Sequence, residues 1–159
     1  MQSRKTEEGV GVRGFFHVQI MENDKIVGDS GWLKNQVTNL GFNQYLVSAL
    51  GSIAGSKYVS HVALGTGSAP GAADTTLNGE LGEAVRKAVT AATSSGSKTV
   101  RFTATFASAD SFVTASRNIS NIGLFNSESG GTLFSGNTFA SSSVAVNQAV
   151  NCTYDIVFS

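Results

Sequence analysis

The sequence predicts an all-β fold, an antiparallel β-sandwich or jelly roll with one short α-helix at about residues 39–50, and three observations carry that expectation. Several short segments alternate apolar and polar side chains with period two, most cleanly Val150, Cys152, Tyr154, Ile156 and Phe158. Turn signals such as Gly130-Gly131 and Gly136-Asn137 separate these segments at short intervals. Only residues 39–50 have helical spacing, and the chain shows no heptads and no tandem repeat. A length of 159 residues suits one domain, and a hydrophobic fraction of 41% suffices for a core.

Residues 1–13 hold few apolar side chains and read as a flexible N-terminal arm ahead of a single domain over 14–159. From Gly14 onward, Phe16, Val18 and Ile20 fall on one face of a strand. Glu22-Asn23-Asp24-Lys25 is a turn into a second strand, so 14–36 reads as a hairpin. Leu40, Phe42, Leu46, Val47 and Leu50 recur near helical spacing, with Thr38 or Asn39 as cap and Gly51 as stop. Residues 58–64 form a strand that ends at Gly65-Thr66-Gly67-Ser68-Ala69-Pro70-Gly71, a surface loop with the chain's one proline. Residues 84–93 are taken as a strand joined by a tight turn to 99–106, where Val100, Phe102, Ala104 and Phe106 share a face. Strands at 117–125, 131–139 and 150–158 complete the series. The expected core is Val37, Leu40, Phe42, Leu46, Leu50, Val62, Leu64, Phe102, Phe106, Ile122, Leu124, Phe134, Tyr154, Ile156 and Phe158. Gly65, Gly67 and Gly123 are expected where φ is positive or packing is close.

Eleven basic and eleven acidic residues give a net charge of zero, with no basic stripe of the kind that nucleic acid attracts. The polar N-terminus MQSRKTEEGVGVRG is not a signal peptide, and no apolar run approaches the ~20 residues that span a bilayer. With Cys152 as the one cysteine, neither an intrachain disulfide nor a cysteine zinc site is expected, and the thiol reads as a small buried hydrophobe.

Catalytic groups are scarce. His17 and His61 sit in strand patterns without a second ligand or acid at useful spacing, which makes them surface or hydrogen-bonded strand residues. Gly28-Asp29-Ser30-Gly31 matches the run around a trypsin-like nucleophile. Only 27 residues precede it, however, too few to place the histidine and aspartate, so it reads as turn and bulge chemistry. Gly65-Thr66-Gly67 lacks the Gly-Lys-Ser/Thr ending of a P-loop. Glu80 and Glu83 lie three apart, but an exposed or interface role suits them better than acid–base work. The expectation is no enzyme, no cofactor and no metal.

Four runs, in order, carry a resemblance: Asn35-Gln36-Val37-Thr38-Asn39-Leu40-Gly41; Val62-Ala63-Leu64-Gly65-Thr66-Gly67-Ser68-Ala69-Pro70; Asp74-Thr75-Thr76-Leu77-Asn78-Gly79-Glu80-Leu81 with Arg86 beyond; and Ile119-Ser120-Asn121-Ile122-Gly123-Leu124-Phe125. Together they are similar to structural proteins of tailed bacteriophages, although Asn121 replaces the glutamate usual there. The resemblance covers roughly 31–139. It implies a non-enzymatic virion protein of β-sandwich type, first a capsid decoration (cement) protein that bridges subunits of the major capsid protein. A tail, collar, fibre or baseplate component is the alternative. On this reading the chain is assembled in the host cytoplasm, sits on the capsid surface and associates as a homotrimer, with no nucleic acid or membrane partner.

The residues named for partner contact are Arg4, Lys5, Glu7 and Glu8 in the arm, with Trp32, Glu80 and Arg86. A sheet edge is a further route to a partner. A third reading, a carbohydrate-binding module, would use an aromatic platform chosen from Trp32, Tyr45 and Tyr58.

Overall fold

Alternating side chains bury one face of each long strand, and the ladders line those faces up. The computed structural model describes residues 9–82, 86–94 and 96–159. Its strands are β1 (Val12–Glu22), β2 (Lys25–Asp29), β3 (Leu33–Val37), β4 (His61–Gly65), β5 (Lys87–Ala88), β6 (Thr90–Ala92), β7 (Thr99–Phe106), β8 (Arg117–Phe125), β9 (Leu133–Val144) and β10 (Ala149–Phe158). Every pairing is antiparallel. Phe16 of β1 stands opposite Tyr154 of β10, which stands opposite Phe102 of β7. One alternating pattern thus becomes a continuous apolar row across three strands.

Two strands change partners partway along and turn the sheet back on itself. β3 pairs with β1 from Leu33 to Asn35, then with β9 at Gln36 and Val37. At the other corner β5 pairs with β4 and β6 with β7, although only Val89 separates them. The Val89 N–H donates to the Ser60 carbonyl at 2.9 Å. Strands that bend between sheets build such corners. The resulting order β5-β4-β8-β9-β3-β1-β10-β7-β6 is a nearly closed, barrel-like antiparallel sheet, with β2 attached to β1 alone.

The expected strands at 99–106 and 117–125 match β7 and β8, and the last strand matches β10 to within one residue. Elsewhere long-range pairing moves the boundaries. β1 begins at Val12, inside the expected arm, because Gly11 and Ser159 exchange backbone hydrogen bonds at 2.7 and 2.9 Å. Residues 14–36 hold three strands rather than a hairpin, since Gly31 at φ +65° turns the chain back onto β1 as β3. The bulge falls at Val27, just before the Gly28–Gly31 run, where the β1–β2 register shifts between Ile20 and Met21, while Gly28 and Asp29 pair regularly with β1. β4 starts three residues later than expected, β9 runs on to Val144, and the strand taken over 84–93 breaks at Val89. Glu83, Ala84 and Val85 lie outside the described residues.

The main core packs Phe16, Phe106, Phe112, Ile119, Ile122, Tyr154 and Ile156 between the two halves of the barrel. Tyr154 stacks 5.6 Å from Phe16, and Phe106 lies 5.5 Å from Phe112. Cys152 is buried as expected, and that burial pushes its thiol pKa up to about 12. A second, smaller cluster of Ala63, Leu77, Phe125 and Leu133 lies on the opposite face of β4, β8 and β9.

The helical segment is where sequence pattern and structure diverge. Thr38 Oγ1 accepts from the Gly41 N–H at 2.9 Å and Gly51 ends the segment, both as expected. Between them, Gly41–Val47 winds as a π-helix before Ser48–Leu50 resumes α geometry. The wider pitch rotates the face presented to the barrel, so Gly41 and Tyr45 are buried in place of Phe42 and Leu50. Phe42 and Leu50 are therefore exposed, and Leu40, Leu46 and Phe158 are only partly buried. The other ten expected core residues are all buried.

Candidate interaction surface

The four runs that carry the resemblance come together at β4, β8 and β9. The second begins in β4 and the fourth lies in β8, while the first pairs with β9 and the third belongs to the segment that folds back along β4. Residues 66–82 leave β4 and fold back along it: Thr66 N–H donates to Gly79 O at 2.9 Å, and Leu81 N–H to Leu64 O at 3.0 Å. Pro70, within the run expected to be a surface loop, is buried, and so are Leu77 and Leu81 further along the segment. Asn121, fully buried, fastens it by donating from Nδ2 to Ser68 O at 3.1 Å and Asn78 O at 2.7 Å. An ionised glutamate could not make these two bonds, because it has no donor. Gly65 and Gly67 are close-packing positions, where a Cβ would fall on Asn121 Oδ1 and the Asn78 carbonyl. Gly123 faces Leu133, whose Cδ1 would lie 2.7 Å from a Cβ.

Glu80 and Arg86, named for partner contact, bind each other. Arg86 is only 8% exposed, and its guanidinium carbon lies 3.5 Å from the centre of the Phe125 ring. Nε and Nη2 donate to Glu80 Oε1 and Oε2 at 2.7 and 3.0 Å, while Nη1 donates to the carbonyls of Ser127 and Gly130 at 3.1 and 2.6 Å. A bidentate pair with two further acceptors locks the ends of the folded-back segment and the β8–β9 turn together. Glu83, the other carboxylate considered, lies outside the described residues, as do Arg4, Lys5, Glu7 and Glu8.

Trp32 stands at the other side of the barrel. It is 48% exposed on the solvent face of β1, with its ring centre 5.2 Å from that of His17 and 5.5 Å from the Arg101 guanidinium carbon. Of the other two aromatics considered as a platform, Tyr45 is buried and Tyr58 exposed. The Tyr45 hydroxyl donates to Thr132 O and Asn126 Oδ1, and burial raises its pKa.

The largest concentration of exposed apolar side chains lies at the barrel end that the helical segment covers. Leu50 is 91% exposed, Val10 82%, Tyr58 76% and Ile53 59%. One groove there is lined by Val10, Leu46, Ala49, Leu50 and Phe158. A second, running from Leu46, Ala49 and Phe158 to Tyr58 and Val59, shares three of those residues. Exposed apolar residues scattered singly are ordinary on a monomer, whereas several gathered at one end mark an interaction surface.

Composition hides this surface, and the helical pattern misassigns it. The signal that could have found it is an excess: five large apolar residues between Leu40 and Leu50 are more than one buried stripe of so short a helix can absorb. Among the described residues no group of three or more His, Cys, Asp or Glu is placed to hold a metal ion, and no helix is long and apolar enough to cross a membrane. His17 does have an acid beside it, Asp29 at 2.5 Å, brought there by the β1–β2 ladder. No family model matches the chain, and neither a curated protein nor a solved structure matches it.

Proposed function

We propose that this chain is a non-enzymatic structural protein of a bacteriophage virion, most specifically a capsid decoration protein that bridges neighbouring major capsid subunits. The observation that carries the reading is the apolar end formed by Val10, Leu46, Ala49, Leu50, Ile53, Tyr58 and Phe158. Its occupant is further copies of the same chain, gathered about a threefold axis as the resemblance implies, each covering the exposed Val10, Leu50 and Tyr58 of a neighbour. Three copies held together present three capsid contacts at once, so individually weak contacts act as one. Low surface charge keeps the desolvation cost of such contacts small. The order of the four motif runs supports the virion assignment, with the flattened barrel as its β-sandwich or jelly-roll form.

Arg4, Lys5, Glu7 and Glu8 are assigned to contact with a capsid subunit. Quantitative mass spectrometry of particles purified from the encoding phage tests the assignment. Hundreds of copies, in a simple ratio to the major capsid protein, are expected. A few dozen copies would transfer the chain to the tail or collar, and absence from the particle would overturn the virion reading altogether.

A further inference from the structure

The solvent face of β1, β10 and β7 carries a second, unrelated surface around the chain's single tryptophan. Trp32 is not a core residue displaced outward. It lies on a polar sheet face, about half exposed, with the His17 ring tilted beside it and the Arg101 guanidinium over its ring. The groups around it are fixed by one another. Asp29 accepts from the Gly31 N–H at 2.7 Å and from Gln19 Nε2 at 3.1 Å, and it contacts His17 Nε2 at 2.5 Å. Arg101 donates from Nε and Nη2 to the two oxygens of Asp155, each at 2.7 Å. Thr105 and Asn151 are joined at 2.8 Å on the same face. Beyond Arg101 and Asp155 lies an open hollow of about 490 Å³ with a hydroxyl-rich rim of Thr93, Ser94, Ser97 and Thr99.

We infer that this face is a binding site for a neutral oligosaccharide, with one pyranose stacked on Trp32 and a neighbouring sugar in the hydroxyl-lined hollow. The exposed part of the indole suits the apolar C–H face of a pyranose ring. Planar carboxylate, amide and guanidinium groups held in fixed geometry suit its equatorial hydroxyls, and groups already ordered lose little entropy on binding. The charges select against polyanions: Arg101 is paired with Asp155, and the hydrogen bonds from Gln19, Gly31 and His17 hold the Asp29 carboxyl well below its usual range, so it stays ionised. Beside Trp32, a phosphate or sulfate would meet the Asp29 and Asp155 carboxylates and a guanidinium already engaged by Asp155. The site uses the solvent face of the sheet and none of the residues that line the apolar grooves, so it does not depend on the virion reading.

A glycan array probed with the purified full-length chain, followed by calorimetric titration of the best neutral oligosaccharide into wild type and variants, tests the inference. Trp32 emission on tryptophan-selective excitation is a second readout for the wild type. The expected result is a saturable emission change with neutral glycans. Trp32→Ala should lose at least ~10-fold in affinity and Trp32→Phe, which keeps a stacking ring, should lose less. Unchanged far-UV circular dichroism and Tm in both variants would show that the fold is intact. No array hit and no emission change up to millimolar sugar would overturn the inference. So would hits confined to sulfated or phosphorylated glycans, or equal binding by wild type and Trp32→Ala.

Discussion

β10 and β8 belong to the same barrel, differ by one residue in length and are buried in opposite ways. β10 alternates buried and half-buried positions over most of its length, whereas the last five residues of β8, Asn121–Phe125, are buried without interruption. The difference lies in what covers the second face. Outside β10 there is solvent, so Thr153 and Asp155 remain partly exposed. Outside β8 lies the folded-back segment 66–82, whose Leu77 completes a second core with Ala63, Phe125 and Leu133. One-sided burial leaves a polar face free to meet a ligand. Two-sided burial uses up both faces, and the motif residues there hold the protein together.

The largest expected effect sharpens that contrast. Phe125→Ala, on the outer face of β8 beneath Arg86, should cost ~3–5 kcal/mol in urea unfolding, as for a large core residue. Thr103→Ala, on the outer face of β7, should change stability by no more than ~0.5 kcal/mol. Equal effects would erase the distinction between the two halves.

Asn121→Asp should cost ~3 kcal/mol or more at neutral pH, because a buried carboxylate would face the Ser68 and Asn78 carbonyls without a proton to donate. The loss should shrink in acid, where the carboxyl is protonated and can donate again. A pH-independent cost would indicate packing rather than hydrogen bonding.

Asp29 gives the smallest effect, on the one-sided half. Hydrogen bonds from Gln19, Gly31 and His17 hold its pKa at about 2 against an ordinary 3.8. A depressed pKa means the stabilisation is complete above the unfolded value and disappears as pH falls through about 2. Its side chain is 42% exposed, so solvent screening limits the contribution to ~0.5 kcal/mol. Thermal melts of Asp29→Asn and wild type between pH 5 and 2 should therefore converge toward the acid end. A gap that widens in acid would contradict the assignment.

Legibility in the sequence follows the same division. β7 and β10 were readable because every alternate residue answers to one core, and period two is a local signal. The continuous burial of β8 depends on Leu77 and Pro70, more than 40 residues upstream, which no local pattern reports. The corners at β3 and Val89 are likewise products of long-range pairing. In the helical segment the spacing located the element, but the π pitch over Gly41–Val47 reassigned its faces and placed Tyr45 inside and Leu50 outside. Leu46, Leu50 and Phe158 of the apolar end were expected in the core, and of the three aromatics considered as a platform Trp32 and Tyr58 are exposed while Tyr45 is buried. Glu80 and Arg86 were recognisable as a motif, yet their partnership became visible only once Phe125 and the β8–β9 turn stood beside them.

The central claim is that the apolar end joins copies of this chain, and sedimentation equilibrium tests it most directly. The wild-type chain should sediment as a trimer of its 16.5 kDa mass, and Leu50→Asp should sediment as a folded monomer. A wild-type protein that remains at 16.5 kDa at every concentration, or a Leu50→Asp variant that still forms trimers, would contradict it.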